Sequence, residues 1–246
     1  DGAGSSAGSA AWTTTDQFID SPSKNFAVLE ESNNQGNAIS QGGTKLSPGS
    51  ASWQSTAATI KGLTSGKFYF EFTPETTGSN ISLGIGSPPF STAVDTLLGQ
   101  NINEYGYYFA NGNTYNNGVF TSYGSTVAAG DVVGVAIDLD NNRIFFARNN
   151  TFENSGNPVT GVNAAYSIAN NVSYDVVISM TSSITTANNT INFGGQSALA
   201  FTPPEGFLEL NQDNLDDTQS KITAFPWIKN RDAADNHMLF DRVRGV

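Results

Sequence analysis

Residues 130–150 read GDVVGVAIDLDNNRIFFARNN and have the pattern of a single β-hairpin. Apolar side chains occupy every second position before the polar residues 140–143 and again after them, as strands with one buried face require. These positions are Val133, Val135, Ile137, Leu139, Ile144 and Phe146. A two-residue turn is predicted at Asn141 and Asn142, because asparagine tolerates the left-handed backbone of tight hairpins. Residues 140–143 therefore have a conformational explanation and need no catalytic one.

Four further segments show the same alternation of apolar and polar residues. They are GKFYFEF at 66–72, ISLGIGS at 81–87, YDVVISM at 174–180 and INFGGQ at 191–196. Clusters of Gly, Asn, Ser and Thr separate these segments, and no long stretch has helical periodicity. Short strands of this kind predict an all-β protein, built as an antiparallel sandwich or barrel.

The order of these blocks resembles the SPRY domain, which belongs to the concanavalin-A-like sandwiches. The similar blocks are GKFYFEF, LGIGS, YGYYFANGNTYNNG, the hairpin at 130–150, and INFGGQ followed by TPPEGF, and together they cover roughly residues 50–210. The resemblance implies a bent sandwich of two antiparallel sheets. It also implies that loops of the sandwich bind protein or carbohydrate partners, usually without catalysis.

Two flanking segments are similar to parts of SPRY-bearing structural proteins of bacteriophages. TTDQFIDSPSKNFAVLE at 14–30 resembles the lead-in of those proteins, and FPWIKNRDAADNHMLFDRVRGV at 225–246 resembles the module that follows their SPRY unit. This resemblance implies a protein of the phage virion, in a tail fibre or another adsorption appendage. Its expected task is host recognition and adhesion, and its expected partners are other virion proteins and a host surface glycan or protein.

Two further expectations come from the phage resemblance. Trimers are common in phage fibres, so a homo-oligomer is expected. The alternative to an adhesin is an architectural protein that decorates the head or the tail and contacts only other virion proteins.

The predicted domain organisation has four parts. A Gly/Ser/Ala-rich flexible linker at 1–13 precedes the SPRY-like sandwich at 14–210. A second linker at 211–224 leads to 225–246, which is expected to be the incomplete start of another module. The predicted architecture is therefore an antiparallel SPRY-like sandwich with a short β-rich extension at its C-terminal end.

Composition excludes several classes of function. The net charge is −11 and charged residues make up only 13% of the chain. Binding to nucleic acid through its phosphates needs a basic stripe, so that class is disfavoured. The chain has no cysteine, which rules out disulfides, thiol catalysis and cysteine-based zinc sites. No apolar run approaches the roughly 18 residues of a membrane helix, so membrane insertion is not expected. No cofactor is predicted.

Candidate catalytic and metal-binding residues are few. Asp138 and Asp140 lie two residues apart and could share a strand face, but a polar face beside a turn is where solvated carboxylates are expected. His237 is the single histidine, and the aspartates of NQDNLDD at 211–217 lack the spacing of a calcium loop. We therefore predict neither an enzyme nor a metal site.

The best candidate for ligand binding is NEYGYYFANGNTYNNG at 103–118. Alternation places Tyr105, Tyr107 and Phe109 on one face of a strand and Tyr108 on the other, and a loop is predicted to follow at 111–117. Exposed tyrosines beside amides suit protein or sugar recognition, because the rings pack on apolar surface while the amides bond to polar groups. The predicted ligand contacts are Tyr115, Asn116 and Asn117, with Tyr108, Trp53 and Tyr123 as secondary candidates.

Overall fold

A computed structural model describes residues 25–75, 80–88, 95–181, 188–195 and 197–215, together with two short strands nearer the C-terminus. The described chain forms two large sheets packed face to face, with almost entirely antiparallel pairing, so the predicted antiparallel β-sandwich is confirmed. Among the described residues no helix has the length and apolar character needed to span a bilayer.

The first large sheet has seven strands. They are β1 (Leu29–Asn34), β4 (Gln54–Ala58), β6 (Asn80–Gly86), β7 (Glu104–Tyr108), β8 (Asn113–Asn116), β9 (Val119–Ser122) and β14 (Asp175–Thr181). Their spatial order is β1-β4-β14-β6-β7-β8-β9, with antiparallel pairing throughout. Strands β1 and β9 therefore form the two edges of this sheet.

The second large sheet has nine strands. They are β2 (Ala38–Ser40), β3 (Lys45–Ser47), β5 (Lys67–Thr73), β10 (Val133–Asp138), β11 (Arg143–Arg148), β12 (Thr151–Phe152), β13 (Tyr166–Ser167), β15 (Asn189–Asn192) and β16 (Leu208–Glu209). The main order is β12-β11-β10-β5-β15-β3-β2, while β13 pairs with β11 and β16 pairs in parallel with β5. A separate two-stranded pairing joins β17 (Trp227–Ile228) to β18 (Met238–Leu239).

The predicted hairpin at 130–150 is confirmed, but its turn differs from the prediction. Pairing of β10 with β11 ends at Asp138 and Arg143, so the loop contains the four residues 139–142 and not two. Leu139 continues the pairing of β10 with β5 instead, since its N–H donates to the Gly66 carbonyl at 3.0 Å. Asn142 has the expected left-handed backbone, with φ of 57°.

The core lies between the two sheets and follows the predicted alternation. Strand β5 directs Phe68, Phe70 and Phe72 into it, and all three are fully buried. Tyr107 of the seven-stranded sheet stacks on Phe146 of the nine-stranded sheet, with ring centroids 5.0 Å apart. Aromatic side chains therefore connect the two layers directly.

The outer face of the nine-stranded sheet is also covered, which corrects the expectation of a solvated carboxylate at Asp138. Tyr69 and Phe145 on that face pack with Phe207, which the chain brings back over the sheet after β15. Asp138 is only 1% exposed, and its Oδ2 lies 3.2 Å from Lys67 Nζ. The carboxylate is buried because the returning segment and the ion pair replace the water expected there.

The structure describes little of the segments predicted at the two ends of the chain. The linker predicted at 1–13 lies outside the described residues, and of the module predicted at 225–246 only β17 and β18 are described. Residues 211–215, which the sequence places in the second linker, pack on the sandwich, since Leu215 belongs to its core. The domain boundaries remain a prediction.

Candidate functional site

Four aromatic side chains form a continuous row beside the β9 edge of the seven-stranded sheet. Trp53 contacts Tyr108 edge-on, with ring centroids 6.0 Å apart, and Tyr108 contacts Phe120 at 5.7 Å. Phe120 in turn stacks on Tyr115 at 4.1 Å. We call Trp53, Tyr108, Phe120 and Tyr115 the aromatic row. Phe120 is 45% exposed, Trp53 and Tyr108 are half-buried, and Tyr115 is buried.

Strand register places three of these rings, those of Tyr108, Tyr115 and Phe120, on the outer face of the sheet. Tyr115 of β8 is the register partner of both Gly106 on β7 and Phe120 on β9. Because successive side chains of a strand point to opposite faces, Tyr107 enters the core while Tyr108 faces outward. The alternation predicted for residues 105–109 is thus confirmed.

The two tyrosine hydroxyls of the row are donors to nearby amides. Tyr108 donates to Asn80 Oδ1 at 2.7 Å, and Tyr115 donates to Gln100 Oε1 at 2.6 Å. Burial raises the pKa of both hydroxyls, and for Tyr115 the charge of Glu104 adds to the effect. Both rings are therefore neutral hydrogen-bonded groups at physiological pH, which fixes their orientation within the row.

A loop at 95–103 packs against strand β8 and holds the aromatic row in position. The buried Glu104 carboxylate accepts hydrogen bonds from the Gly99 N–H at 3.1 Å and from the Asn101 N–H at 3.2 Å. Gly99 has φ of 109°, and a Cβ there would lie 2.2 Å from the Tyr115 carbonyl oxygen. Only glycine lets this loop approach β8 so closely. The loop thereby fixes the position of Tyr115 and its neighbours.

Asn116 fastens the same loop through its amide nitrogen, and its predicted contact with a ligand stays a prediction. Its Nδ2 donates to the Ile102 carbonyl at 2.9 Å and to the Glu104 carbonyl at 2.8 Å. The next residue, Asn117, is exposed in the β8–β9 turn with φ of 50°. Residues 113–116 form strand β8, so the loop predicted at 111–117 is wrong over that range.

Replacing Asn116 with alanine is expected to lower the free energy of unfolding by about 1–2 kcal/mol, since two carbonyls lose their donor. Hydrogen exchange should become faster at the Gly99 and Asn101 amides. Chemical denaturation and exchange mass spectrometry measure the two effects. Asn117→Gly is the matched control, because glycine accepts the left-handed backbone and should change stability by less than about 0.5 kcal/mol. Equal stability of the Asn116→Ala variant and the wild type would contradict the fastening role.

Of the six residues predicted to contact a ligand, the structure brings three into the aromatic row. These are Trp53, Tyr108 and Tyr115. Tyr123 lies elsewhere, because its ring contacts Tyr107 at 6.2 Å and Phe146 at 6.5 Å on the inner side of the sheet. Burial raises the pKa of Tyr123 to about 12. Tyr123 is therefore part of the packing and is separated from the row.

Sequence reasoning missed Phe120, which joins Tyr108 to Tyr115. It also missed two exposed aliphatic side chains, Val119 at 61% and Ile102 at 66% exposure. Val119 is the register partner of Asn116, which bonds to the Ile102 main chain, so both aliphatic residues lie at the same margin of the sheet. One sequence feature could have indicated this surface. Two adjacent apolar residues, Val119 and Phe120, directly follow the turn sequence Asn-Asn-Gly at 116–118.

The carboxylates considered for catalysis serve local structure. Asp138 pairs with Lys67 and also accepts the Asn141 main-chain N–H at 3.0 Å. Asp140 accepts the Gly66 N–H at 2.7 Å. In the described part of the chain, no group of three or more His, Cys, Asp or Glu residues is placed to hold a metal ion. The described geometry around the aromatic row is an apolar and amide-rich surface.

Comparison with known proteins agrees with this architecture. Residues 67–178 match the family model of the SPRY domain. The crystal structure of the SPRY domain of human HERC1 superposes with a TM-score of 0.54 at 19% identity, over 67% of this chain and 96% of that domain. The sandwich is a SPRY fold. The aromatic row is thus a surface feature of this SPRY sandwich, and three of its rings, Tyr108, Tyr115 and Phe120, lie within the matched range.

Two animal proteins share a shorter segment with the SPRY sandwich. The Ran-binding proteins 9/10 homolog of Drosophila melanogaster is 33% identical over 85 residues, which is 34% of this chain and 9% of the fly protein. Ran-binding protein 9 of Homo sapiens is 32% identical over 85 residues, which is 12% of that protein. The matched segment is therefore a small part of each relative.

These relatives contradict the predicted phage protein. The matching proteins named above are animal Ran-binding proteins and human HERC1, so the predictions of a tail-fibre adhesin, of an architectural virion protein and of a location in the virion are wrong. The blocks that resemble SPRY specify the sandwich and carry no information about its source. The phage interpretation depended on 14–30 and 225–246, and both segments lie outside residues 67–178.

Proposed function

We propose that this chain is a non-catalytic protein-interaction module and that the aromatic row is its contact surface. The observation that carries the proposal is the unbroken ring contact from Trp53 to Tyr115, with Phe120 open to solvent. The Drosophila and human relatives are named as binding proteins, and this agrees with a binding role.

The chemistry of the surface supports a protein partner. Protein interfaces are enriched in aromatic residues and depleted of charge at their centres, and a few well-packed aromatic anchors supply most of the binding energy. The row meets the aromatic part of this description, while charge lies beside two of its rings, since Asp95 accepts the Trp53 N–H at 2.9 Å and the buried Glu104 acts on Tyr115. The tyrosine hydrogen bonds hold the rings in place, so little side-chain entropy is lost when a partner binds.

Replacing Phe120 with alanine is expected to weaken partner binding by roughly tenfold or more, because an exposed ring at the centre of the row acts as an anchor. The complete chain serves as bait for a displayed library of protein fragments, and affinities of the selected fragments are measured by biolayer interferometry. Trp53→Ala should weaken the same fragments. Val159→Ala is the matched control, since Val159 is 53% exposed but lies in the separate turn at 157–162.

Two results would argue against the proposal. Unchanged affinity of the Phe120→Ala and Trp53→Ala variants would show that the row is not the contact surface. Loss of affinity in the Val159→Ala variant alone would place the contact at the 157–162 turn.

A further inference from the structure

Strand β9 is an edge strand that is exposed along its whole length. Within the described ranges of the chain it pairs only with β8, and all four residues from Val119 to Ser122 are exposed. Exposed edges of soluble proteins are usually protected by a charged residue, a proline or a bulge, because unpaired main-chain groups attract another strand. The sequence VFTS contains no such residue, and its register with β8 is regular. This edge is therefore open to strand addition.

The pairing pattern identifies the main-chain groups that are free. Phe109 donates its N–H to the Ile81 carbonyl at 2.9 Å, which makes that pair a hydrogen-bonded one in the β6–β7 ladder. Hydrogen-bonded and non-hydrogen-bonded pairs alternate along an antiparallel ladder, so the register can be followed through β7 and β8 to β9. The N–H and C=O groups of Phe120 and Ser122 then point away from β8 towards solvent.

We infer that an extended segment of a partner protein adds to β9 as an eighth strand of the seven-stranded sheet. This inference rests on the proposed function and specifies how the same surface binds. In strand addition, main-chain hydrogen bonds supply affinity and alternate side chains supply specificity. Phe120 and Val119 point to opposite faces of the sheet, so the segment carries an apolar residue beside each of them. Since the chain has a net charge of −11, the remaining positions of the segment are neutral or basic.

A short partner segment fits this edge better than a second copy of the chain. Four residues span only about 13 Å at roughly 3.3 Å per residue. Stable dimers use about 20–30 residues on each side, so pairing of two β9 strands falls well short of that area. Two chains of charge −11 also repel each other. A short extended peptide needs only the four exposed residues and the row beside them.

The test uses a residue whose outward N–H can be removed without breaking the sheet. Ser122→Pro deletes that N–H, and proline is tolerated on an edge strand when its missing N–H would face solvent. Ser122→Ala is the matched control, because it keeps the N–H and removes only the hydroxyl. The probe is a linear peptide selected by the complete chain from a random displayed library, then synthesised with a fluorescent label. Its affinity is measured by fluorescence anisotropy.

We expect Ser122→Pro to weaken peptide binding at least tenfold and Ser122→Ala to leave it within about twofold. The same peptide N-methylated at alternate residues should also bind at least tenfold more weakly. Equal binding to the wild type and Ser122→Pro, with weaker binding to Phe120→Ala, would overturn strand addition and leave the aromatic row as the contact surface. Equal binding to all three would contradict both the inference and the proposed function.

Two more outcomes bear on the inference. Selection of no binding peptide would overturn it, since an open edge should accept some extended sequence. Self-association in sedimentation that Ser122→Pro abolishes would show that a second copy, and not a partner peptide, occupies β9.

Discussion

Phe146→Ala is expected to lower the free energy of unfolding by about 3–5 kcal/mol, the range for deletion of a buried aromatic ring. Phe146 is fully buried on β11 and stacks on Tyr107 with an angle of 18° between the ring planes. The Tyr107 hydroxyl is itself fixed, because it donates to the Ser125 carbonyl at 2.7 Å. Loss of the ring therefore leaves a cavity between the sheets that the surrounding side chains cannot close by collapse.

Urea denaturation followed by circular dichroism measures this effect. Phe120→Ala is the matched control, because the same substitution at an exposed site should cost less than about 1 kcal/mol. Phe146→Leu keeps most of the volume and should fall between the two. A loss below about 1 kcal/mol for Phe146→Ala would show that the stacked pair does not connect the layers.

Glu71→Ala is expected to lower the free energy of unfolding by roughly 2–3 kcal/mol, since it leaves several donors without their acceptor. The buried Glu71 carboxylate accepts the Ala200 N–H at 2.6 Å and the Phe201 N–H at 2.9 Å. It also accepts the Tyr69 hydroxyl at 3.3 Å. Burial, together with the negative charge of Glu71, raises the pKa of Tyr69, so that hydroxyl stays protonated and donating. The carboxylate thus holds the segment after β15 over the outer face of the nine-stranded sheet.

Besides lowering the overall stability, Glu71→Ala is expected to loosen the segment around Ala200 and Phe201. Hydrogen exchange should become faster at Ala200 and Phe201, and limited proteolysis should cut near them. Glu205→Ala is the matched control, because Glu205 is exposed and its removal should change stability by no more than about 0.5 kcal/mol. Unchanged exchange at Ala200 and Phe201 in the Glu71→Ala variant would refute the anchoring role.

The local sequence pattern predicted the strands correctly, but it did not predict which segments pack against them. The alternation of Val133, Val135 and Ile137 predicted a buried face correctly, because the two-residue period of a strand is a property of the backbone. The same pattern suggested water beside Asp138, yet a segment distant in sequence covers that face. Periodicity indicates which side chains share a face, but it does not show what packs against that face.

For the candidate site too, the sequence indicated several of the residues but not the contacts between them. Tyr108, Tyr115 and Trp53 were selected because aromatic residues beside amides suit recognition, and the structure places them in one row. Phe120 was missed because its importance comes from a stacking contact across the β8–β9 pairing. Asn116 was predicted as a ligand contact from its residue type alone, and only the structure shows that its amide nitrogen bonds to a loop more than ten residues earlier in the chain.

The sequence by itself determined the class of the fold, the hairpin at 130–150, the buried faces of the main strands and the resemblance to SPRY domains. These properties depend on backbone periodicity and on the order of short blocks, both of which are local. Only the tertiary structure decided which aromatic residues meet at the surface, which carboxylates are buried and which edge is left unpaired. Those properties arise from contacts between segments far apart in the chain, and no local pattern encodes them.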